Sequence, residues 1–356
     1  MAGDPDNGDA DGFRAIPFLS AMAIGTGGGA VFAWLGLPLP WMLGAMTATT
    51  IAAMAGVRMS MPRWLRGGCV TVLGVMLGAS FTPAVVARMA EWWITLAALF
   101  GWALASGGLG WAYFAHVARF DRVTSFFSAS PGGLNEMTLV GAQLGGDERT
   151  ISLVHATRVF ITVFAIPFWF RFHDGLSSSA SGRGYVELLS IGLDDYAILA
   201  ACAVVGTIGA AKLRIPAATV IGPMFLSAAV HLAGFTESAP PTLVIFAAQV
   251  VVGSTLGCRF VGFSPVVAGR TIAHACVVGS MMIAVTVATS LLLSRVADVS
   301  IASILLGFAP GGLAEMSLVA IALAADAAFV ATHHIVRIVI VVLCAPLLFR
   351  SFSTRR

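Results

Sequence analysis

Two stretches of this chain align without a gap, and that limits what it can fold into more than any other feature. Residues 131–171 read PGGLNEMTLVGAQLGGDERTISLVHATRVFITVFAIPFWFR, and residues 310–350 read PGGLAEMSLVAIALAADAAFVATHHIVRIVIVVLCAPLLFR, 179 positions later. Seventeen of the 41 columns are identical, against about three for unrelated chains of ordinary composition. The identities fall on special residues: Pro131/Pro310, Gly132/Gly311, Gly133/Gly312, Glu136/Glu315, Asp147/Asp326, His155/His334, Arg158/Arg337, Pro167/Pro346 and Arg171/Arg350. A run copied only for greasiness would keep Leu and Val and lose these. The chain is therefore an internal duplication. Pro38/Pro216, Gly44/Gly222 and Met46/Met224 extend the match at a spacing of 178.

The repeated unit is written for lipid. The 356 residues are 58% hydrophobic and 10% charged, where soluble domains run near 25% charged. Apolar runs of about 20 residues recur from end to end and predict transmembrane helices. Period-two alternation is absent, which disfavours an outer-membrane barrel. The expected class is all-α, a polytopic helical protein whose partner is the lipid bilayer. Its 39 glycines suit helices that pack closely in lipid; they permit a homodimer without demanding one. The net charge of +3 comes from scattered basic residues, so nucleic acid has no electrostatic footprint here. Cys69, Cys202, Cys258, Cys276 and Cys344 stand singly in apolar context and read as packing residues.

Boundaries follow from composition. Residues 1–13 form an acidic tail, expected to be disordered, that lacks the basic start of a secretory signal. Residues 14–172 make membrane repeat 1, 173–190 a polar Ser/Gly linker, 191–352 membrane repeat 2, and 353–356 a basic tail. Predicted spans are 15–35, a segment ending at 56, 67–86, 92–116 and 148–170, then 196–211, 217–233, 243–260, 271–293 and 327–349. Orientation follows from Lys and Arg. If every apolar segment crosses, 12 basic residues lie inside and 6 outside. If one segment per half fails to cross, the halves are inverted and the split becomes 14 to 4. The second arrangement is preferred: about ten full spans, two PGG-broken or re-entrant segments, and both termini on the cytoplasmic side of a bacterial-type inner membrane.

The chemistry concentrates at the doubled PGG. Proline removes a helical hydrogen bond and the two glycines raise the entropy cost of helix. A break in hydrocarbon survives only where protein or a watery cavity satisfies the freed backbone, and such breaks mark transporter sites. The candidate substrate or ion site is therefore Pro131, Gly132, Gly133, Asn135 and Glu136 in one half. In the other it is Pro310, Gly311, Gly312 and Glu315, where Ala314 replaces the asparagine. Arg158 and Arg337 are predicted near mid-membrane, where each charge costs roughly 2.5–3.5 kcal/mol. The simplest relief is pairing of Glu136 with Arg158 and Glu315 with Arg337, directly or crosswise between repeats. His155 and His334 stand three residues before the arginines on the same helix face, either relaying protons or satisfied structurally. Asp147 and Asp326 suit N-caps. Pro167/Pro346 and Phe170-Arg171/Phe349-Arg350 read as helix ends and interfacial anchors. No metal-ligand spacing, nucleotide loop or catalytic triad is legible, so catalytic residues, metal and cofactor are each expected to be none.

The doubled PGGLxEM…D…H..R pattern resembles the AbrB-duplication membrane family, over residues 14–352. Members carry the labels ammonia monooxygenase and AbrB-type regulator. The resemblance implies an integral membrane protein of two repeats. A copper or iron monooxygenase needs clustered His or carboxylate ligands, which the spacing does not supply, and nothing resembles the small DNA-binding β protein of the second label. At the level of architecture the pattern is analogous to sodium/proton antiporter-like carriers. The preferred expectation is a secondary transporter of a small anionic solute coupled to protons or sodium. The alternatives are a membrane monooxygenase and a membrane regulator without turnover.

Overall fold

The computed structural model describes residues 15–173, 186–187, 190–263 and 265–353. The acidic tail, most of the linker and residues 354–356 lie outside the described residues. Among those described the chain is helical throughout, with no strand. The first half runs α1 (Ala15–Trp34), α2 (Pro40–Met54), α3 (Arg63–Gly78), α4 (Pro83–Arg88), α5 (Trp93–Tyr113) with a π-helical turn at its end, α6 (Arg122–Ala129), α7 (Leu134–Gln143) and α8 (Glu148–His173). The second runs α9 (Leu193–Lys212), α10 (Ala218–Leu232), α11 (Thr242–Cys258), α12 (Pro265–Leu293), α13 (Ile301–Phe308), α14 (Leu313–Ala322) and α15 (Ala327–Ser353).

Six helical stretches are long and apolar enough to cross a membrane, built on α1, α4 to α5, α8, α9, α12 and α15. They are not equivalent. Within the apolar windows of α8 and α15, 67% and 56% of residues are buried by the protein itself, against 17% and 22% for α1 and α9. The former pair is central and the latter peripheral. The remaining four expected spans are shorter: α2, α3, α10 and α11 have 15, 16, 15 and 17 residues, below the roughly 20 needed to span hydrocarbon alone.

These short helices form an interlocked centre. Gly28 of α1 meets Gly44 of α2, and Gly206 of α9 meets Gly222 of α10, so close that a Cβ on any of the four would overlap backbone. Between the halves, the Met42 carbonyl sits where a Cβ on Gly253 would fall and Thr49 does the same at Gly257. Val220 and Met224 do this at Gly74 and Gly78. Thus α2 runs parallel to α11, and α10 parallel to α3. Arg259, at the end of α11, senses Arg66 and Arg63 at the start of α3, so these two positionally matched helices run antiparallel. The helices α2 and α10 each follow a non-glycine residue at positive φ, Leu39 (44°) and Ala217 (50°), a strain of about 1–2 kcal/mol apiece.

Each PGG segment is a helical hairpin. The Asp147 N–H at the foot of α8 donates to Thr124 Oγ1 at the foot of α6 over 2.8 Å, and the Asp326 N–H donates to Ser303 Oγ over 2.9 Å. The chain thus enters along α6, turns at Pro131 to Gly133 and returns along α7 to its starting level; α13 and α14 do the same. Each hairpin therefore ends at the level where it began.

Three expectations need correction. The predicted span 67–86 is interrupted: α3 stops at Gly78 and α4 restarts at Pro83, with Thr82 Oγ1 accepting the Val85 N–H at 3.3 Å. Pro167 and Pro346 lie inside α8 and α15 rather than at their ends; central packing holds these helices through the missing hydrogen bond. Phe170 and Phe349 are buried, not interfacial, while the Arg171 guanidinium bonds the Gly36 carbonyl beyond α1.

Adjacent glycines in α1 give a matched test of the centre. A Cβ on Gly28 would strike the Gly44 carbonyl, whereas one on Gly27 would meet nothing within 4 Å. Gly28→Ala is expected to destabilise by about 1–3 kcal/mol. Gly27→Ala is expected to be neutral or to stabilise by up to about 1 kcal/mol. Thermal unfolding of the purified variants reads both.

Candidate functional site

A half-helix that stops in mid-protein leaves its last carbonyls without partners, at the negative end of its dipole. The structure meets that need with arginine. Arg158, on α8, donates from Nη1 to the Ser130 carbonyl (3.0 Å) and from Nη2 to the Gly132 carbonyl (3.3 Å). Arg337, on α15, donates likewise to Ala309 (2.5 Å) and Gly311 (2.7 Å). Each guanidinium also donates to the Nδ1 of the histidine one turn earlier, His155 at 2.8 Å and His334 at 3.0 Å. With Nδ1 accepting, Nε2 carries the proton. It donates to Phe127 at 2.9 Å in one half and Leu306 at 2.9 Å in the other. The histidines are thus neutral struts between the long helix and the first arm of the hairpin. Both arginines are buried, 3% and 2% exposed, and each keeps an Nε–H with no protein partner among the described residues.

This overturns the expected ion pairs. Among the described residues neither glutamate lies within salt-bridge distance of Arg158 or Arg337; the described pairs are Arg88–Glu91 and Arg88–Asp298. The reason is local. The break exposes carbonyls beside the arginine and N–H groups beside the glutamate, and each charge goes to the dipole end it complements.

The glutamates face the other way, onto the start of the second arm. Glu136 and Glu315 occupy the third helical position of α7 and α14, behind Gly133 and Gly312. Their carboxylates fold back so far that a Cβ on either glycine would collide with Oε2. Each carboxylate thus lies over the positive end of its helix. The motif is now legible atom by atom. The second glycine makes room for the carboxylate, and the first makes room for Met137 or Met316, whose Cγ would lie 2.8 Å from an added Cβ. The two glutamates differ in setting. Glu315 is 7% exposed and its carboxylate accepts its own backbone N–H, while Glu136 is half-buried beside the exposed Asn135.

The tips approach one another. Gly132 packs against Val341 of α15, and Arg158 and Arg337 sense each other's charge. The halves are packed unequally. Gly279 of α12 lies against the backbone of Arg158 on α8. On the other side an apolar groove of about 640 Å³ separates α5 from α15, reaching Pro131 from Phe100, Leu104, Trp111 and Cys344. His333 does not join the site; it stacks on Phe329 and bonds Thr95 Oγ1 at 2.9 Å. Asp147 and Asp326 cap their helices, accepting from Arg149 N–H (3.1 Å) and Phe329 N–H (2.9 Å). Among the described residues no group of three or more His, Cys, Asp or Glu is placed to hold a metal ion.

Sequence reasoning missed Arg66 and Arg259. Arg259 Nη2 donates to Asn135 Oδ1 at 2.9 Å, and Arg66 lies within electrostatic reach of Glu315. Their context in sequence is that of ordinary loop arginines; only the packing of α3 and α11 brings them to the hairpins.

Comparison with known proteins adds the following. A family described as "Transition state regulatory protein AbrB" matches residues 41–353. The chain is similar to the "Uncharacterized protein YhjN" of Bacillus subtilis (strain 168), 27% identical over 92% of this chain and 91% of that one. It is also similar to the "Putative regulator AbrB" of Escherichia coli (strain K12), 24% identical over 89% of this chain and 91% of that one. No solved structure matches.

Arg337 offers the sharpest test of the hairpin's anchorage. Arg337→Lys keeps the charge but cannot serve Ala309, Gly311 and His334 at once. It is expected to destabilise by about 1–3 kcal/mol. Amide exchange is expected to quicken in α13 and the PGG tip while α9 is unchanged.

Proposed function

The chain belongs to the AbrB family, whose pattern spans residues 41–353, and from that premise we propose that it is a secondary transporter of a small anionic solute, coupled to protons or sodium. One observation carries the reading: two helical hairpins, each broken at Pro-Gly-Gly, bring a buried arginine and a carboxylate to interior tips that approach each other. A buried and a half-buried glutamate carboxylate on half-helix ends are expensive if they only fix the packing, because an uncharged residue could cap there for less. Twofold recurrence of the same device, at one level in the interior, is what alternating access needs.

The antiparallel course of α3 and α11, and with it that of α2 and α10, supports inverted halves. Basic residues then gather on one side with the termini, the cytoplasmic side of an inner membrane. In this reading the tips are the solute and ion site. Glu136 and Glu315 hold the coupling ion or its protons. Asn135 donates to the solute, and the free Nε–H of Arg158 and Arg337 offsets its charge. His155 and His334 fix the arginines. The monooxygenase and regulator labels attach to family members and relatives; no geometry here favours either activity.

Uptake or efflux by reconstituted vesicles tests the proposal. Glu136→Gln and Glu315→Gln are each expected to lower transport at least tenfold while the protein stays folded in the membrane. Gly312→Ala displaces only the flexible end of Glu315, so a similar loss with an unchanged melting temperature is expected. Full transport by the double glutamine variant would remove the carboxylates from the mechanism.

A further inference from the structure

The duplication leaves three arginines unaccounted for. Arg63 and Arg66 open α3, and Arg259 follows α11. Their counterparts at the repeat spacing are Thr242, Ile245 and Ser80, so one end of the molecule carries a feature that the other lacks. The three come from both halves yet sit together, because α3 packs on α11 and also on α14 of the second hairpin. Arg66 and Arg63 lie within electrostatic reach of Arg259. Among the described residues no carboxylate pairs with any of them. Like charges crowded together repel, the nearest carboxylate, Glu315, faces Arg66 without an ion pair, and the cluster borders the polar start of both returning arms. Arg259 fixes the Asn135 side chain through Oδ1, which leaves the amide N–H groups to donate. The four tip charges, Arg158, Arg337, Glu136 and Glu315, sum to zero, so the excess here is positive.

We propose that Arg63, Arg66, Arg259 and Asn135 form the receiving site for the transported solute, and that the solute is a compact oxyanion with at least two negative charges. The clustering of three guanidinium groups fits paired carboxylates or a phosphate-like group, which arginine grips through two donors at once. Because the cluster exists at one end only, the solute is collected from the side of the basic loops, and the opposite end releases or admits it without this grip. The proposal rests on the transporter reading but is tested by binding alone.

The experiment uses the full chain in phosphatidylcholine nanodiscs, titrated with citrate, succinate or inorganic phosphate at constant ionic strength. Melting temperature is the readout, since a ligand that binds only the folded state raises it. At least one probe is expected to raise it. Arg66→Gln and Arg259→Gln are expected to weaken that probe at least tenfold, Arg66→Lys less, and the exposed control Lys212→Gln less than twofold. Arg66→Lys also shows that a loss is not misfolding. No shift from any probe, or equal shifts in wild type and the Arg variants, would overturn the proposal. So would stabilisation by phosphatidylglycerol nanodiscs with none by the free anions, which would make the cluster a lipid-headgroup site. In any of these cases loss of transport in Glu315→Gln would still support the hairpin mechanism.

Discussion

The structure depends on a guanidinium group closing the open end of a broken helix. An α-helix that ends inside a low-dielectric interior leaves carbonyl oxygens with nothing to accept from, and each unmet group costs several kcal/mol in lipid. Arg158 and Arg337 each meet the carbonyl of the capping residue and one within the Pro-Gly-Gly turn, and a neutral histidine one turn away meets a carbonyl of the helix's last turn and steadies the arginine. The arginine that looks like the problem in sequence is the solution in space. Without it the Pro-Gly-Gly break has no support, the second arm has no fixed start, and the carboxylate that folds over that start has no defined position.

Much of this was legible in the residues. The all-helical class follows from the apolar pattern, and the doubled Pro-Gly-Gly marks where each helix breaks. What could not be read was which partner each charge takes. Opposite charges on consecutive segments invite an ion pair, and sequence spacing does not show that the break turns its carbonyls toward Arg158 and its N–H groups toward Glu136. Pro167 and Pro346 misled for a related reason. Proline ends a helix that stands alone, but α8 and α15 are embedded in neighbours and continue past it. Arg66 and Arg259 were invisible because their significance comes wholly from assembly: nothing within ten residues of either announces that α3 and α11 will meet.

The centre is made by exchange between the halves. Each half supplies a short helix that runs alongside its partner's, α2 with α11 and α10 with α3, at separations that only glycine permits. Helices of 15 to 17 residues are too short to span hydrocarbon unaided, and enclosure by the longer ones lets them be so. The equivalence of the halves is nevertheless broken where it matters for chemistry. Asn135 has no counterpart, the arginine cluster has none, and α12 lies tight on α8 while α5 meets α15 at Thr95 and Trp102 and is parted from it further along by the groove.

The histidine–arginine link has a mechanical corollary. Three hydrogen bonds tie the upper part of each hairpin to the middle of one long rod, α8 for the first and α15 for the second, and a further bond at Asp147 or Asp326 ties its base to the same rod. A loop fastened at both crest and base cannot flap by itself. Any displacement of the crest must take the whole rod along, so in the proposed transporter the unit to move is a block of three helices rather than a flexible gate.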